Sequence, residues 1–357
     1  MSWTKTNKLR AEIFGESHGP CVGVRIAGLP AGESVDLREL QRFLDRRAPG
    51  RSELSTPRRE ADRPRVLSGL TGGVTDGGVF EAVIDNANVR PADYEALRFV
   101  PRPGHADYPA FVKSGGAALP GGGAFSGRLT APLCVAGGIC LQLLRRRGVV
   151  LAAHIAELGG IADEPLDPVN TDAAALERLA EKDFPVLDEA RGEAMRAAIL
   201  AAKAEGDSLG GVVECAAVGL PVGLGGPLFD GLESVLAAAL FGIPAVKGVD
   251  FGAGFGAARL RGSGNNDPYA LRDGRVAALT NRAGGILGGM STGMPLVFRA
   301  AFKPTPSIAL PQRSVDLQRM EETELRVSGR HDPCVVPRAV PAVEAAAAVV
   351  LLDAMLD

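Results

Sequence analysis

Residues 9–26 read Leu-Arg-Ala-Glu-Ile-Phe-Gly-Glu-Ser-His-Gly-Pro-Cys-Val-Gly-Val-Arg-Ile. Apolar residues alternate with others on both sides of the central segment Gly15–Gly19, which predicts two half-buried strands joined by a short connection. The glycines at its two ends let the backbone approach a ligand closely. The connection contains Ser17 and His18, and histidine occurs only 4 times in 357 residues. We interpret it either as part of a site or as a turn with a surface histidine.

The composition narrows the class of protein. The 39 basic residues nearly balance the 42 acidic ones, which disfavours a general nucleic-acid-binding surface, since such a surface needs a basic excess. No uninterrupted apolar run approaches the ~18 residues of a membrane span, and no signal-peptide core follows Met1. The 5 cysteines have no close pairs, which favours buried thiols in a reducing compartment over disulfides or a metal site. We therefore expect a cytoplasmic protein.

Helical and strand-like patterns alternate along the chain without regular β-α-β spacing. A helix is predicted from Leu37 to Arg47, with Asp36 as its N-cap and Glu39 as capping-box partner. Longer apolar helices are predicted near residues 126–147 and 338–355, and residues 262–274 are predicted to form an exposed loop. This pattern favours an α+β fold with buried helices and antiparallel sheets over a doubly wound one. Without a clean linker, we expect a single domain, residues 1–357.

Arginine is concentrated at the end of the first helix and just after it. The residues are Arg46, Arg47, Arg51, Arg58, Arg59, Arg63 and Arg65. Guanidinium groups match the geometry of carboxylate and phosphate, so this segment predicts an electropositive wall for a small polyanion. The alternative is a solvated loop that Glu53, Glu60 and Asp62 partly neutralise.

Further polar loops carry side chains suited to a site. Residues 101–107 read Pro-Arg-Pro-Gly-His-Ala-Asp, and the two prolines stiffen a loop in which His105 is a candidate acid or base. Lys303–Ser307 offers a cation and hydroxyls, which suit a phosphate tail. Glycines in Asn281–Gly293 suit backbone packed against a flat ligand. The start of the helix near Ser126 could hold a phosphate, but neither a P-loop nor a dinucleotide fingerprint is present.

These motifs together resemble the chorismate synthase family. Eight segments occur in the order and approximate spacing of that family: Gly15–Gly19, Arg102–Asp107, Gly121–Ala131, Gly206–Gly211, Val246–Phe251, Gly284–Gly293, Lys303–Ser307 and Arg330–Cys334. The resemblance covers nearly the whole chain. It implies a β-α-β sandwich with helices between antiparallel sheets, usually assembled as a homotetramer.

The resemblance also implies an activity. Family members are lyases of the shikimate pathway of aromatic amino-acid biosynthesis, and they convert 5-enolpyruvylshikimate 3-phosphate to chorismate and phosphate by 1,4-anti elimination. They require reduced FMN without net redox change. Because the chain has no nicotinamide fingerprint, we expect NADPH only as an indirect reductant and an external flavin reductase as a partner. The alternatives are a flavin-dependent oxidoreductase on the same scaffold and a non-catalytic phosphate- or RNA-binding module.

Residue roles follow from the same resemblance. His18, with Ser17 beside it, would protonate the leaving phosphate. His105 would support the protonation state of the flavin, and Asp332 would act as a proton relay. Arg46 and Arg47 would hold anions of the substrate or of NADPH. The positions corresponding to the family's FMN contacts are Ala124, Phe125, Ser126, Pro244, Ala245, Gly288, Lys303, Pro304, Thr305, Pro306, Ser307 and Arg330.

The chain departs from the family at three of the relevant positions. Many members have a basic residue at the position of Ala124 and a serine at that of Phe125, so contacts there are expected from the backbone. Glu53 stands where some members have an arginine linked to NADPH, which disfavours a nicotinamide site.

Overall fold

The structure is a computed structural model that describes residues 2–4, 6–50, 52–56, 60–86, 98–117, 122–272, 274–327 and 332–356. Its strands are β1 (Ser2–Trp3), β2 (Arg10–Gly15), β3 (Cys21–Ala27), β4 (Arg65–Ser68), β5 (Leu70–Thr71), β6 (Val74–Thr75), β7 (Phe80–Asp85), β8 (Val150–Leu158), β9 (Ile161–Ala162), β10 (Gly211–Val218), β11 (Val246–Phe251), β12 (Tyr269–Arg272), β13 (Arg275–Ala278), β14 (Ile286–Leu287), β15 (Met290–Ser291), β16 (Leu296–Phe302), β17 (Gln312–Asp316) and β18 (Glu321–Leu325). Its helices are α1 (Leu37–Arg47), α2 (Asp107–Lys113), α3 (Thr130–Arg146), α4 (Ala173–Ala180), α5 (Glu189–Glu205), α6 (Leu232–Phe241), α7 (Gly262–Asn265) and α8 (Val336–Met355).

Two antiparallel five-stranded sheets enclose a helical layer. The first has the order β1-β2-β3-β7-β4, and the second has the order β11-β16-β10-β8-β9. Helix α3 packs on the first sheet, α8 packs on the second, and the two helices pack on each other. This arrangement confirms the predicted α+β sandwich with helices between antiparallel sheets. A hydrophobic core shared by both sheets and the helices supports the expectation of a single domain.

The close approach of the central helices depends on two adjacent glycines of α3. A Cβ atom added to Gly137 would lie 2.2 Å from Ala345 Cα of α8, and one added to Gly138 would lie 2.5 Å from Leu40 Cδ1 of α1. Any larger side chain would push these helices apart, and the dense interior would have to rearrange. The glycines therefore set the spacing of the helical layer.

Two buried carboxylates of α8 connect the layers. Glu344 accepts both terminal nitrogens of Arg46 from α1, at 2.6 and 3.0 Å, and the backbone N–H of Ala153 in β8, at 2.9 Å. Asp353 accepts the backbone N–H groups of Lys8 and Leu9 at 2.6 and 2.7 Å. These contacts satisfy charges that would otherwise be costly to bury, and they fix the start of β2 against the core.

Three local predictions differ from the structure. Asp36 caps α1 through Arg38 and Glu39 N–H groups, but the capping box is incomplete. The Asp36 N–H donates to Gln142 Oε1, so a residue of α3 takes the place of Glu39 as its partner. Helix α3 starts at Thr130, after two 3₁₀ turns at Gly123–Phe125 and Gly127–Leu129. Residues 262–274 include α7 and the first strand of the β12–β13 hairpin instead of a continuous loop.

One helical segment of the described residues, Gly127–Arg146, is long and apolar enough to cross a membrane by length and composition alone. Of the 18-residue window in it that meets this criterion, 72% is buried inside the protein. The same test is passed by core helices of globular proteins, and α3 is enclosed by both sheets.

Burial also raises the pKa of the Cys134 and Cys140 thiols to about 12, as expected for inert core cysteines.

A row of alternating charges crosses the outer face of the second sheet. His154, Glu214, Arg299 and Asp250 are successive register partners in β8, β10, β16 and β11. His154 is fully buried, with Nδ1 3.0 Å from Asp163 Oδ2 and Nε2 3.0 Å from Glu214 Oε2. Burial lowers the pKa of His154, but hydrogen bonds to Asp163 and Glu214 outweigh it, so the net shift is upward from 6.5. These two carboxylate contacts give His154 a structural role in the second sheet.

We expect this histidine to make stability depend on pH. Because its pKa is raised in the folded state, its stabilising contribution is complete below the unfolded value of about 6.5 and is lost as pH rises through the folded value. Urea unfolding of the wild type and of His154→Gln between pH 6 and 9 should show a difference in the free energy of unfolding that narrows with rising pH. A constant difference would mean that the imidazole does not titrate as its contacts require.

Candidate active site

A cavity of about 780 Å³ opens at one end of the helical layer. Its walls come from the C-terminal end of α1, the 3₁₀ turns before α3, the connection between α6 and β11, the loop after β16, and the start of α8. The lining cations are Arg47, Arg102, Arg128, Lys247, Lys303 and Arg338, and the lining carboxylates are Glu60 and Asp332. The volume and the excess of cations suit a small polyanion.

A buried arginine pair forms the floor of this cavity. Arg47 Nε lies 2.8 Å from Asp62 Oδ2, and Arg128 Nη1 contacts Asp62 Oδ1 and also Glu60 Oε2 at 3.1 Å. Arg47 Nη1 donates to Thr130 Oγ1 at 3.0 Å. Burial raises the pKa of Asp62, but Arg47 and Arg128 lower it more, so its net pKa lies below its ordinary value. The carboxylate is therefore ionised at neutral pH and compensates the buried guanidinium charges.

Asp332 and Arg338 continue the wall at the start of α8. Arg338 Nη1 pairs with Asp332 Oδ2, and Arg338 Nε donates to the Arg47 carbonyl at 2.9 Å. Asp332 Oδ1 accepts the Thr56 backbone N–H at 2.9 Å. Sequence reasoning missed Arg338, although a cation near the start of an otherwise apolar helix is a usable signal. It also missed Lys247, which gave no such signal.

The His105 loop is ordered by a compact ionic cluster. Arg102 donates to Asp107 through Nε at 2.7 Å and Nη2 at 2.8 Å, and to Ser307 Oγ at 3.0 Å. His105 Nδ1 lies 2.5 Å from Asp107 Oδ1. Although burial raises the pKa of Asp107, hydrogen bonds from Arg102 and His105 bring it well below its ordinary value. The charged carboxylate thus holds the His105 ring at the cavity wall.

His18 and Ser17 lie in the connection between β2 and β3, beside the cavity lining and not within it. Ser17 Oγ is 2.9 Å from His18 Nδ1. Asn86 Nδ2 donates to the carbonyls of Glu16 and Gly19 at 3.0 and 2.8 Å, while its Oδ1 accepts Arg128 Nε at 2.9 Å. Asn86 therefore joins the histidine loop to the arginine pair, a link that sequence reasoning did not identify.

Most of the predicted flavin contacts converge on this cavity. Those in its lining are Ala124, Phe125, Ser126, Pro244, Ala245, Lys303, Thr305, Pro306 and Ser307. Pro304 packs against Gly210 instead, where an added Cβ would lie 3.0 Å from Pro304 Cδ. Gly288 lies at the turn of the β14–β15 hairpin, outside the lining. Arg330 falls outside the described residues.

The Gly206–Gly211 segment supports two walls at once. Ser208 Oγ donates to the Thr305 carbonyl at 2.7 Å, and Leu209 N–H donates to the Pro333 carbonyl at 2.8 Å.

Lys303 Nζ donates to the Gly104 carbonyl at 2.9 Å. Burial, followed by repulsion from Lys247, lowers the pKa of Lys303. The two lysines thus form a cationic site in which a bound anion would offset the charge repulsion.

Arg46 does not join the arginine pair, contrary to its predicted role as an anion ligand. Its terminal nitrogens are both engaged by Glu344, its guanidinium lies 5.7 Å from the Phe43 ring centroid, and it is absent from the cavity lining. Adjacent helical residues point about 100° apart, so Arg46 faces the core layer while Arg47 faces the cavity.

The fold and the site together define a three-layer α+β protein with a cation-lined cavity at one end of its helical layer. The sequence model of chorismate synthase matches residues 9–356, and the chain belongs to the chorismate synthase family. It is 48% identical to the chorismate synthase of Lancefieldella parvula, covering 99% of this chain and 96% of that protein. It is 49% identical to the chorismate synthase of Thermococcus kodakarensis, covering 98% of this chain and 96% of that protein.

The likeness extends to three dimensions. A solved structure described as the crystal structure of chorismate synthase superposes with a TM-score of 0.77 at 27% sequence identity, covering 99% of this chain and 92% of that one. The match therefore includes both sheets and the helical layer between them.

Proposed function

We propose that this protein catalyses the 1,4-anti elimination of phosphate from 5-enolpyruvylshikimate 3-phosphate to give chorismate, with reduced FMN and no net redox change. The observation that carries the proposal is the convergence of six cationic side chains on one cavity that has only two carboxylates in its described lining. The substrate has two carboxylates and a phosphate, and guanidinium groups bind both kinds of anion. Family membership supports the same assignment.

The cavity also fits a flavin mononucleotide. Thr305 Oγ1 is buried without a hydrogen-bond partner among the described residues, and it lines the cavity with Lys303 and Ser307, as a phosphate tail would require. Phe125 is half-exposed and offers an aromatic face to a flat ring. We assign these residues to cofactor binding. When bound, reduced flavin supplies electron density that assists loss of the phosphate from the substrate.

The chain's own residues provide orientation and proton transfer. Arg47, Arg128 and Arg338 bind the substrate anions, and their fixed positions spare the cost of organising charge during the reaction. We assign His18 as the acid for the leaving phosphate, with Ser17 orienting its ring through Nδ1. Asp107 holds His105 through Nδ1, which assigns Nε2 of His105 to proton exchange. Asp332, anchored by Thr56 and Arg338, is the proposed relay group.

The proposal is tested by anaerobic assay with photochemically or dithionite-reduced FMN. We expect chorismate and phosphate to appear in equal amounts while the flavin remains reduced. Flavin oxidised in step with substrate would instead identify an oxidoreductase. No turnover, combined with nanomolar RNA binding at physiological salt, would favour a nucleic-acid-binding module.

We propose that the protein does not reduce its own flavin. Glu53 is exposed, and a negative charge there disfavours binding of the NADPH phosphate. The purified protein should form no chorismate in air with FMN and NADPH alone, and it should form chorismate when an external flavin reductase is added. Rapid NADPH oxidation coupled to chorismate formation without another reductase would overturn this expectation.

We further propose a cytoplasmic homotetramer, as the family resemblance implies. Strongly exposed apolar side chains support association between copies, for example Phe229 at 89% and Phe255 at 84% exposure, since exposed apolar surface marks interaction sites. The near balance of charge supports the absence of a nucleic-acid partner.

A further inference from the structure

A single buried carboxylate bridges the two arginines on the floor of the cavity. Asp62 Oδ2 lies 2.8 Å from both Nε and Nη2 of Arg47, and Asp62 Oδ1 contacts Arg128 Nη1. The side chains of the three residues are at most 3% exposed. Two guanidinium groups this close would repel each other in a poorly hydrated interior, so the carboxylate keeps them together.

The backbone of Asp62 is held in a conformation that L residues seldom adopt. Its φ is 45°, in the left-handed region that aspartate tolerates better than most residues but still at a cost. Asp62 lies in the segment before β4, whereas Arg47 ends α1 and Arg128 precedes α3. The carboxylate thus connects three separate parts of the chain at the cavity floor.

The remaining hydrogen bonds of the arginines restrict them further. Arg47 Nη1 is taken by Thr130 Oγ1 and the Gly127 carbonyl, at 3.0 and 3.3 Å. Arg128 Nε is taken by Asn86 at 2.9 Å. Arg128 Nη2 is buried and has no hydrogen-bond partner among the described residues, although Arg128 lines the cavity. Buried donors are rarely left unpaired, so this nitrogen remains available to a bound anion.

We propose that Asp62 is a positioning residue that orients Arg47 and Arg128 toward the anionic groups of the substrate. This inference rests on the proposed function for the identity of the substrate. Asp62 itself does not line the cavity, so it acts through the two arginines. Its loss should therefore weaken substrate binding while the chemical step and flavin binding are largely retained.

The test compares Asp62→Asn with Asp250→Asn. Asparagine preserves the size of the side chain and tolerates a positive φ, but it removes the charge that both arginines share. We expect KM for the substrate to rise about 10- to 100-fold, the scale of a lost charged hydrogen bond, with kcat and the Kd for FMN changed less than about 3-fold. Asp250 pairs with Arg299 on the outer sheet face, so its variant should keep the wild-type KM.

Two further variants separate positioning from a structural role. In an Arg128→Ala background, the effect of Asp62→Asn on KM should be smaller than in the wild type, because one of the two arginines through which Asp62 acts is gone. Multiplicative effects would overturn the proposal. Asp62→Glu retains the charge but displaces the carboxylate, and we expect it to fold and to raise KM about 10-fold. A folded Asp62→Glu protein with wild-type KM would also overturn it, whether or not Asp62→Asn folds.

Calorimetric titration with inorganic phosphate separates this inference from the proposed function. If the wild type does not turn over the substrate, the proposed reaction is wrong, but phosphate should still bind about 10-fold more weakly to Asp62→Asn than to the wild type. Equal phosphate affinities in the two proteins would refute the role of Asp62 in positioning the arginines.

Discussion

We expect His18→Ala and His105→Ala each to lower kcat by roughly 10²-fold or more, the usual scale for a lost acid or base, while both proteins remain folded. His18 is oriented by Ser17 at 2.9 Å, and His105 is held by Asp107 at 2.5 Å. Neither side chain contributes to the hydrophobic core, so truncation should cost little stability. Turnover is measured by chorismate formation under anaerobic conditions, with folding checked by thermal unfolding.

His154→Gln is the matched control for these two variants. His154 lies in the outer-face charge row and is absent from the cavity lining, so its replacement should change stability with pH but leave kcat near the wild-type value. Wild-type-like turnover in both His18→Ala and His105→Ala would remove both residues from the proposed acid–base chemistry.

Arg47→Ala should raise KM for the substrate by about 100-fold or more, since it removes a charged ligand that makes several hydrogen bonds. The side chain is 1% exposed and pairs with Asp62. Breaking a buried pair by removing one partner costs about 3–5 kcal/mol of stability, although Arg128 still compensates part of the Asp62 charge. FMN affinity should change much less, because the proposed flavin contacts lie on other walls of the cavity.

Arg46→Ala is the control that separates the two neighbouring arginines. It removes the pair with Glu344, so it should destabilise the protein while KM for the substrate stays near the wild-type value. Substrate titration and flavin titration of both variants distinguish the outcomes. A loss of flavin affinity in Arg47→Ala with unchanged substrate affinity would show that Arg47 binds FMN and not the substrate. A raised KM in Arg46→Ala would restore the role predicted for it from sequence.

Local sequence patterns determined much of the fold. Alternation around Gly15–Gly19 predicted the β2–β3 pair, which the structure shows with Gly15 opposite Val22. The helical period of Leu37–Arg47 and its Asp36 cap predicted α1 with its observed bounds. Such features depend on interactions between residues a few positions apart, which the sequence states directly.

Tertiary structure alone decided which charged groups share the site. The sequence presents Arg46 and Arg47 as equivalent neighbours, but their directions on α1 send one to Glu344 and the other to Asp62. From the sequence, Asp62 was interpreted as one of the acids that partly neutralise a solvated loop. In the structure it lies buried between arginines from two distant segments. These outcomes depend on which long-range partner compensates each buried charge, and neither periodicity nor spacing along the chain carries that information.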